Sequence, residues 1–325
     1  PRRGLYDAQK RKATAEQKAQ SEEQRMTANE LGLAVAQSVI ELALADDALA
    51  LQSEELQWLD TIVKTARERA KNPAGNAVEP LRMESELALR RQKREAAERQ
   101  RSKYAQALNL LLGRNAQVSW PTLTLPDNGV PSTSASSLRA KLEGGNPRLA
   151  SLRHQIDAAR AEADAARAKR KPVFSVGVDT STYSRGGFFD AMAFVKMTIP
   201  LFNRSAYQAD IARAEQLRFA AQYDLAAQER ELATQLNSLL TEAENGQRLA
   251  AAYKGEVLPL IEKTVETIQN AWISSKATLR EVLDSRRVLI DARQEQKRAI
   301  AAEHASLAAI TALTGGFSTP KGEQP

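Results

Sequence analysis

Residues 173–199 read VFSVGVDTSTYSRGGFFDAMAFVKMTI, and polarity alternates with a period of two on both sides of a glycine-containing turn. Phe174, Val176 and Val178 point one way, while the residues between them are small or polar. Residues 191–199 alternate in the same manner. The pattern predicts a β-hairpin with one apolar face. Strands of roughly 9–10 residues suit a transmembrane β-barrel; a soluble two-stranded flap is the alternative, and either needs partner strands.

A helix is predicted directly before this hairpin. Asn146 is a good N-cap, Pro147 suits the first helical turn, and the alanine-rich run after them continues to Lys171, where Pro172 ends it. Further upstream, residues 118–145 contain three prolines and a serine-rich stretch, which predicts loop or short irregular structure.

A seven-residue repeat marks a much longer helix near the start of the chain. The repeat consists of Leu42, Leu49, Leu56, Val63 and Ala70. It predicts a coiled-coil seam on a helix from about Gln9 to Lys71, on the order of 95 Å long at ~1.5 Å per residue. The segment NPAGN at 72–76 ends this helix, and a second one is predicted from about Val78 to Leu112.

The chain repeats this helical hairpin. Pro1–Gly113 and Pro200–Gly315 read as two copies, and the β-hairpin precedes only the second. The second heptad consists of Leu232, Leu239, Gly246, Tyr253 and Leu260. Residues 274–277 form the predicted turn, and Leu279 to Leu313 the returning helix. Gly255 and Pro259 lie inside the long helix, where we expect a kink rather than an end because the heptad continues.

Composition points to long helices rather than a thick globular core, with 42% hydrophobic but only 5% aromatic residues. The net charge is +6, yet basic and acidic residues alternate along the helices, which indicates solvated faces and not a nucleic-acid surface. No apolar run reaches the ~18 residues of a membrane-spanning helix.

Residues that could carry chemistry are few. The chain has no cysteine, and His154 and His304 each lack a second ligand at helical spacing. The four methionines could bind a soft metal ion or simply pack in the core. They are dispersed along the chain, which favours packing: Met26, Met83, Met192 and Met197. No nucleotide-binding loop, nucleophile elbow or zinc spacing occurs. We therefore predict no enzyme, no cofactor and no metal site.

The order of these segments resembles the outer-membrane efflux protein (TolC) family. The resemblance lies in NPRLASLR at 146–153, IPLFNR at 199–204 and TLREVLDS at 278–285. IPLFNR, together with QIDAAR at 155–160, is most similar to the heavy-metal cation efflux branch. No single motif is highly specific, but their order extends over about 300 residues and is repeated internally.

The resemblance implies a mainly α fold with a β-hairpin. Long coiled-coil helical hairpins would form a trimeric α-barrel, and the strands would contribute to a transmembrane β-barrel. The implied function is the outer-membrane duct of a tripartite efflux system in a Gram-negative bacterium, extending into the periplasm and passively exporting small cations or drugs. The implied partners are two further copies of the chain, a periplasmic adaptor (membrane fusion) protein, an inner-membrane resistance-nodulation-division type pump and outer-membrane lipid.

A different class of protein is the alternative. The chain could be a soluble periplasmic coiled-coil adaptor or structural protein that acts only through protein contacts. An adaptor should carry a lipoyl-like β domain between its helical arms, where this sequence has proline-rich loop.

Aligning the second helical turn with the family implies several site residues. Glu281 and Asp284 would form a periplasmic gate ring, to which three copies contribute six carboxylates. The ring would attract cations, and repulsion between the carboxylates would raise the pKa of some of them. Exposed first-turn acids favoured by the helix dipole are the alternative. Glu79, Trp272 and Lys276 would lock the turns, although Ala277 replaces the family's lock arginine and Glu79 and Lys276 could equally be unpaired surface charges. The implied adaptor-docking residues are Ala74, Gly75, Asn76, Ser275, Thr278 and Leu279.

These interpretations divide the chain into six segments: 1–113 (first helical hairpin), 114–145 (linker or equatorial region), 146–171 (helix leading to the barrel), 172–200 (transmembrane β-hairpin), 201–315 (second helical hairpin) and 316–325 (tail). The second copy has 54 residues between Asn146 and Pro200 that the first lacks (200 − 146 = 54). We therefore expect at least this much, a signal sequence and any lipid-anchor cysteine to precede Pro1 in the full gene product.

Overall fold

The computed structural model describes residues 3–71, 78–126, 134–182, 189–198 and 204–317. The helices are α1 Arg3–Ala70, α2 Val78–Leu111, α3 Ala135–Gly145, α4 Pro147–Lys169, α5 Arg204–Ala252, α6 Leu258–Ile273 and α7 Leu279–Leu313. A π-helical segment, Tyr253–Val257, joins α5 to α6, and the strands are β1 Val173–Thr182 and β2 Phe189–Thr198. The predicted long helices and the hairpin are thus confirmed.

The seam predicted from the first heptad repeat is buried only in part, because Leu42 and Val63 are buried and Leu49, Leu56 and Ala70 are half-buried. Leu42, Leu59 and Val63 are at most 3% exposed. Small residues fill the positions between them, and Ala45 and Ala66 are also buried. Most of the stability of such a helix comes from packing this narrow apolar stripe against its neighbours.

The predicted irregularity of the second long helix is a π-helical turn. The helical turn is wider over Tyr253–Val257, because the N–H of Leu258 donates to the carbonyl of Tyr253, five residues earlier. Pro259 has no N–H and its ring crowds the carbonyl four residues earlier, so a locally wider turn accommodates it. The helix therefore continues into α6, as expected. The heptad does not continue, because Leu258 and Val265 are buried and Leu260 is 68% exposed.

The expectation of loop or short irregular structure throughout 118–145 is wrong at its C-terminal end. Ala135–Gly145 forms α3, with Leu142 buried. Leu138 and Leu142 are four residues apart and share one helix face, and the residues between them are good helix formers. The serine-rich start of this segment is typical of loops, and the periodic run that follows it is short.

Strands β1 and β2 pair antiparallel in the register Val173↔Thr198 to Thr182↔Phe189. Val176 lies opposite Val195, and Phe174 lies opposite Met197. The register therefore places Phe174, Val176 and Val178 on one face together with Ala193, Val195 and Met197, as the alternation predicted. On the other face the ring of Phe194 covers Gly177, where an added Cβ would lie 2.5 Å from the ring.

The last helix of each copy, α2 and α7, ends in the same way, at a glycine with positive φ. Gly113, after α2, and Gly315, after α7, both have positive φ, at 65° and 80°. The N–H of the following residue donates to the carbonyl five residues back in each case, at 2.8 Å. This is the Schellman arrangement, which favours glycine because glycine adopts positive φ without steric cost.

Contacts divide the chain into two units. One comprises Pro1–Ala28, Ser136–Thr234 and Ser318–Pro325, and the other comprises Asn29–Ala135 and Gln235–Phe317. Each unit thus combines segments from both copies of the repeat. Among the described residues, no helix has both the length and the apolar character needed to cross a lipid bilayer.

Gly246 and Gly255 offer a matched test of helix packing. An added Cβ at Gly246 would lie 3.0 Å from the carbonyl oxygen of Ala299 and from the backbone nitrogen of Glu303, whereas nothing lies within 4 Å at Gly255. We expect Gly246→Ala to lower the free energy of unfolding by about 1–3 kcal/mol through overpacking. Gly255→Ala should be neutral or stabilising by up to about 1 kcal/mol, because alanine favours helix.

The measurement is the unfolding temperature of each purified variant. Equal shifts for the two substitutions would contradict the close approach of α5 and α7 at Gly246.

Candidate functional site

The turn between α6 and α7 is built by local hydrogen bonds. The N–H of Lys276 donates to the carbonyl of Ala271 at 2.7 Å, and the N–H of Ser275 donates to that of Trp272 at 2.9 Å. This is again a Schellman arrangement, but its positive-φ position is occupied by Ser275, at φ 60°. A serine pays a steric cost there that glycine would not, so another interaction must hold it.

That interaction comes from Arg69, near the end of α1. Its Nη1 donates to the carbonyl of Trp272 at 2.7 Å, and its Nη2 donates to Oγ of Ser275 at 2.8 Å. The guanidinium also lies 4.7 Å from the centroid of the Trp272 ring, within range of a cation–π interaction. We call this set, Arg69 with Trp272 and Ser275, the arginine clamp. It fixes the end of α1 to the turn that follows α6.

Trp272, predicted as a lock residue, lies in a hydrophobic cluster and is 1% exposed. The cluster draws on four helices of its unit: Leu59, Ile62, Val63, Ala66, Met83, Trp272, Leu279 and Val282. Ala277 packs against it from the turn. Leu279, predicted as a docking residue, is 3% exposed, so its side chain belongs to this core.

Glu281, predicted for the gate ring, caps its own helix. Its carboxylate accepts hydrogen bonds from the N–H of Thr278 at 2.7 Å and from the Thr278 hydroxyl at 2.9 Å. The N–H of Glu281 in turn donates to that hydroxyl at 3.3 Å, which completes a capping box. These bonds, with the backbone N–H first, hold the pKa of Glu281 below its ordinary value. Within one chain Glu281 therefore acts as the first-turn acid of the alternative interpretation.

The other predicted residues of this region are exposed or only partly buried. Asp284 lies one turn beyond Glu281 and pairs weakly with Arg280 at 3.6 Å and Arg287 at 4.0 Å. Glu79 is half-buried in the first turn of α2, and Lys276 is exposed in the turn. Within the described chain no ion pair joins these two, so their link stays a prediction. Ala74, Gly75 and Asn76 lie outside the described residues.

A buried ion-pair network, which the sequence did not predict, lies next to this cluster. Nε of Arg286 on α7 donates to Glu55 of α1 at 2.8 Å, and both residues are nearly inaccessible to solvent. Arg286 also donates to Glu54 at 3.2 Å, and Glu54 accepts from Arg293 at 2.7 Å. The guanidinium of Arg286 lies 5.0 Å from the ring centroid of Trp58. The network joins a helix of the first copy to one of the second.

The two glutamates of this network respond to it in opposite directions. Burial raises the pKa of Glu55, and the contact with Arg286 only partly offsets that effect. Partial burial also favours the protonated form of Glu54, but the hydrogen bonds and charges of Arg293 and Arg286 outweigh it, so its pKa is lowered. Arg286 is therefore the main group that favours the ionised form of Glu55 against its burial.

The remaining candidates carry no cluster of ligands. Among the described residues no group of three or more His, Asp or Glu could hold a metal ion. Nε2 of His304 lies 2.9 Å from the carbonyl oxygen of Pro126, and Met83 is fully buried. His154 lines a groove of about 430 Å³ between α1 and α4. Met192 and Met197 are exposed on the hairpin.

Comparison with known proteins places these features in a family. The sequence profile of the family described as "Outer membrane efflux protein" matches residues 138–316, which is 179 of the 325 residues (316 − 138 + 1 = 179). A sequence comparison with curated proteins gave no match.

Solved structures share the fold. The outer membrane protein VceC of Vibrio cholerae is 18% identical, with a TM-score of 0.81 over 97% of this chain and 77% of that one. The MtrE outer membrane channel of Neisseria gonorrhoeae is 18% identical, with a TM-score of 0.81 over 97% and 73%. A membrane protein from Pseudomonas aeruginosa is 18% identical, with a TM-score of 0.82 over 96% of this chain and 74% of that one. At these identities the likeness establishes the fold.

The arginine clamp predicts the effect of Arg69→Gln. This change removes the guanidinium, so the turn loses two charge-assisted hydrogen bonds and the stacking on Trp272. We expect local opening of the turn to become easier by about 1–2 kcal/mol, or roughly tenfold faster amide hydrogen exchange. Exchange over residues 273–278, followed by mass spectrometry, measures this. Arg82→Gln, an exposed cation near the start of α2, is the control, and equal rates in both variants would exclude the clamp.

The buried network predicts a pH-dependent loss in Arg286→Met. Without Arg286, ionised Glu55 remains buried, and the free energy of unfolding should fall by about 3–5 kcal/mol at neutral pH. The pKa of Glu55 in the folded variant then lies further above its unfolded value, so the folded state binds the proton more tightly. Stability relative to the parent protein should therefore recover as the pH falls through that raised pKa toward the unfolded value.

Denaturant unfolding at about pH 5 and about pH 8 measures this difference. Arg287→Met, which alters an exposed neighbour on the same helix, is the control and should show little loss at either pH. If Arg286→Met lowers the free energy of unfolding by the same amount at both pH values, the loss does not come from the buried charge of Glu55.

Proposed function

Because the chain belongs to the outer membrane efflux protein family, we propose that three copies assemble into a duct that crosses the outer membrane and extends into the periplasm. The family consists of efflux channels and not of enzymes. In this proposal the duct performs no chemistry, and solutes pass through it down the gradient that a pump creates.

The exposed apolar face of the hairpin is the observation that carries this proposal. Val176 and Val195, which pair across the strands, are 78% and 74% exposed, and Phe174 is 61% exposed. A contiguous apolar face of this kind marks a surface that another apolar phase covers. We propose that lipid covers it and that the hairpin joins other strands in a membrane-spanning β-sheet.

The long helices would form the wall of the duct below the membrane. Their small buried residues allow close lateral packing, and each helix keeps a charged face. Three copies arranged around an axis would enclose a water-filled tunnel. The family match supports this duct over the soluble adaptor considered above.

The turns at the far end of the helices would meet the partners. We propose that a periplasmic adaptor protein docks there and links the duct to an inner-membrane pump of the resistance-nodulation-division type. Ser275 and Thr278 are exposed and available for such contacts, whereas the side chain of Leu279 is buried. Small cations or drugs are the proposed cargo, with heavy-metal cations favoured by the motif IPLFNR.

Reconstitution into planar lipid bilayers tests the proposed function. The purified full-length protein should require detergent for extraction and should produce discrete single-channel conductance steps after insertion. Cross-linking of the same preparation should give a trimer. A protein that stays in solution without detergent and produces no conductance would overturn the duct.

The gate ring is tested in the same bilayers with Glu281→Gln and Asp284→Asn combined. Glutamine preserves the capping box, so the change removes charge and leaves the start of α7 in place. If the carboxylates surround the aperture, block by divalent cations should weaken about tenfold or more, and cation selectivity should fall.

Glu256→Gln combined with Glu266→Gln is the control, since these two acids are exposed on the preceding helical segment. If block by divalent cations is unchanged in the gate variant, or changes equally in the control, Glu281 and Asp284 do not form the gate ring.

A further inference from the structure

Five exposed basic residues gather where the helices meet the β-hairpin. We call them the basic collar: Arg3, Lys169, Arg170, Lys171 and Arg204. Chain connectivity fixes three of them, because Lys169–Lys171 lie between the last turn of α4 and the start of β1 at Val173. Arg204 is the first residue of α5, which follows β2.

Ion pairs between neighbouring helices bring Arg3 and Arg204 to the same end. Arg11 pairs with Asp164 at 3.0 Å, and Lys12 pairs with Glu162 at 3.1 Å, so α1 and α4 run antiparallel and the start of α1 lies beside the end of α4. On the other side, Arg153 pairs with Glu229 at 3.5 Å and Arg167 pairs with Glu215, which places the start of α5 there too.

The collar differs in its pairing from the cations of these helices that face a neighbouring helix. Arg11, Lys12 and Arg167, one or two turns away, are all paired with carboxylates of a neighbouring helix. Within the described chain no ion pair involves any of the five collar residues. An uncompensated positive surface therefore remains at this end of the unit.

The position of the collar selects its partner. It adjoins the apolar face of the hairpin, and Tyr6, one turn beyond Arg3 and 65% exposed, adds the kind of aromatic side chain that favours a membrane interface. Unpaired lysines and arginines beside a membrane-embedded surface attract anionic head groups, each by a few-fold in affinity. We propose that the basic collar binds the phosphate groups of anionic phospholipids in the adjoining leaflet. This inference rests on the proposed membrane insertion of the hairpin.

Lipid titration of the detergent-solubilised full-length protein tests the collar. Short-chain phosphatidylglycerol and phosphatidylcholine are added separately, and binding is followed by native mass spectrometry and by the unfolding temperature. We expect selective binding of phosphatidylglycerol, with an affinity that falls roughly 100-fold in Lys169→Gln/Arg170→Gln/Lys171→Gln, at about fivefold per cation. Arg91→Gln/Lys93→Gln/Lys103→Gln, three exposed cations of α2, is the control and should bind as the parent protein does.

Several outcomes would overturn the collar. Equal affinity for phosphatidylglycerol and phosphatidylcholine would do so, and so would an equal loss of affinity in the control variant. Inorganic phosphate that competes for the site as well as phosphatidylglycerol does would also overturn it. If the triple variant fails to fold, Arg204→Gln and the salt dependence of the parent protein still decide, because binding that is unchanged between about 0.05 and 0.5 M salt is not electrostatic.

The same preparations separate this inference from the proposed function. A protein that needs detergent and conducts in bilayers but shows no preference for phosphatidylglycerol would refute only the collar. If these cations merely stabilised the end of α4 through its dipole, the triple variant would unfold at a temperature lowered by the same amount in both lipids, and that result would also refute the collar.

Discussion

Close lateral packing of very long helices is the constraint on which the rest of this structure depends. A helix with an alanine-rich seam has little apolar surface and gains stability only when neighbours cover that seam. Ala8, Ala15 and Ala19 are buried along the first part of α1, and the backbone of α7 leaves no room for a side chain at Gly246. Because the seam is narrow, the remaining faces can stay charged, which the proposed wall between two aqueous spaces would require.

Charged groups then determine which helices are neighbours. An alanine seam has little shape and would tolerate a shift by one heptad, whereas a buried ion pair has one satisfactory register. Glu55 and Arg286 meet only if α1 and α7 are aligned as observed, and Arg69 reaches the carbonyl of Trp272 only if the turn lies at the end of α1. Such pairs contribute little net stability when buried, so fixing the register is their better explanation here.

Periodicity made most of the architecture predictable from the sequence, because the helical and β patterns depend on local spacing alone. The two alternating strands, the N-cap at Asn146 and the helix over Leu279–Leu313 agree with that expectation. Helix α3 was missed because its periodic run is short. The arginine clamp was missed for a different reason: Arg69 is one of many basic residues in helices, and its role depends on which turn of the second copy lies beside it.

The capping box at Glu281 changes how a ring of carboxylates would behave. Three copies of a carboxylate close to one axis repel each other, which raises the pKa of some of them and would neutralise part of the ring. In this chain the N–H and hydroxyl of Thr278 already bind the carboxylate of Glu281 and lower its pKa. The two effects oppose each other, so the bonds from Thr278 would counteract part of the tendency of Glu281 to take up a proton in such a ring. A first-turn acid that caps its helix is thus compatible with a charged gate, because the bonds that anchor the side chain also favour its charged form.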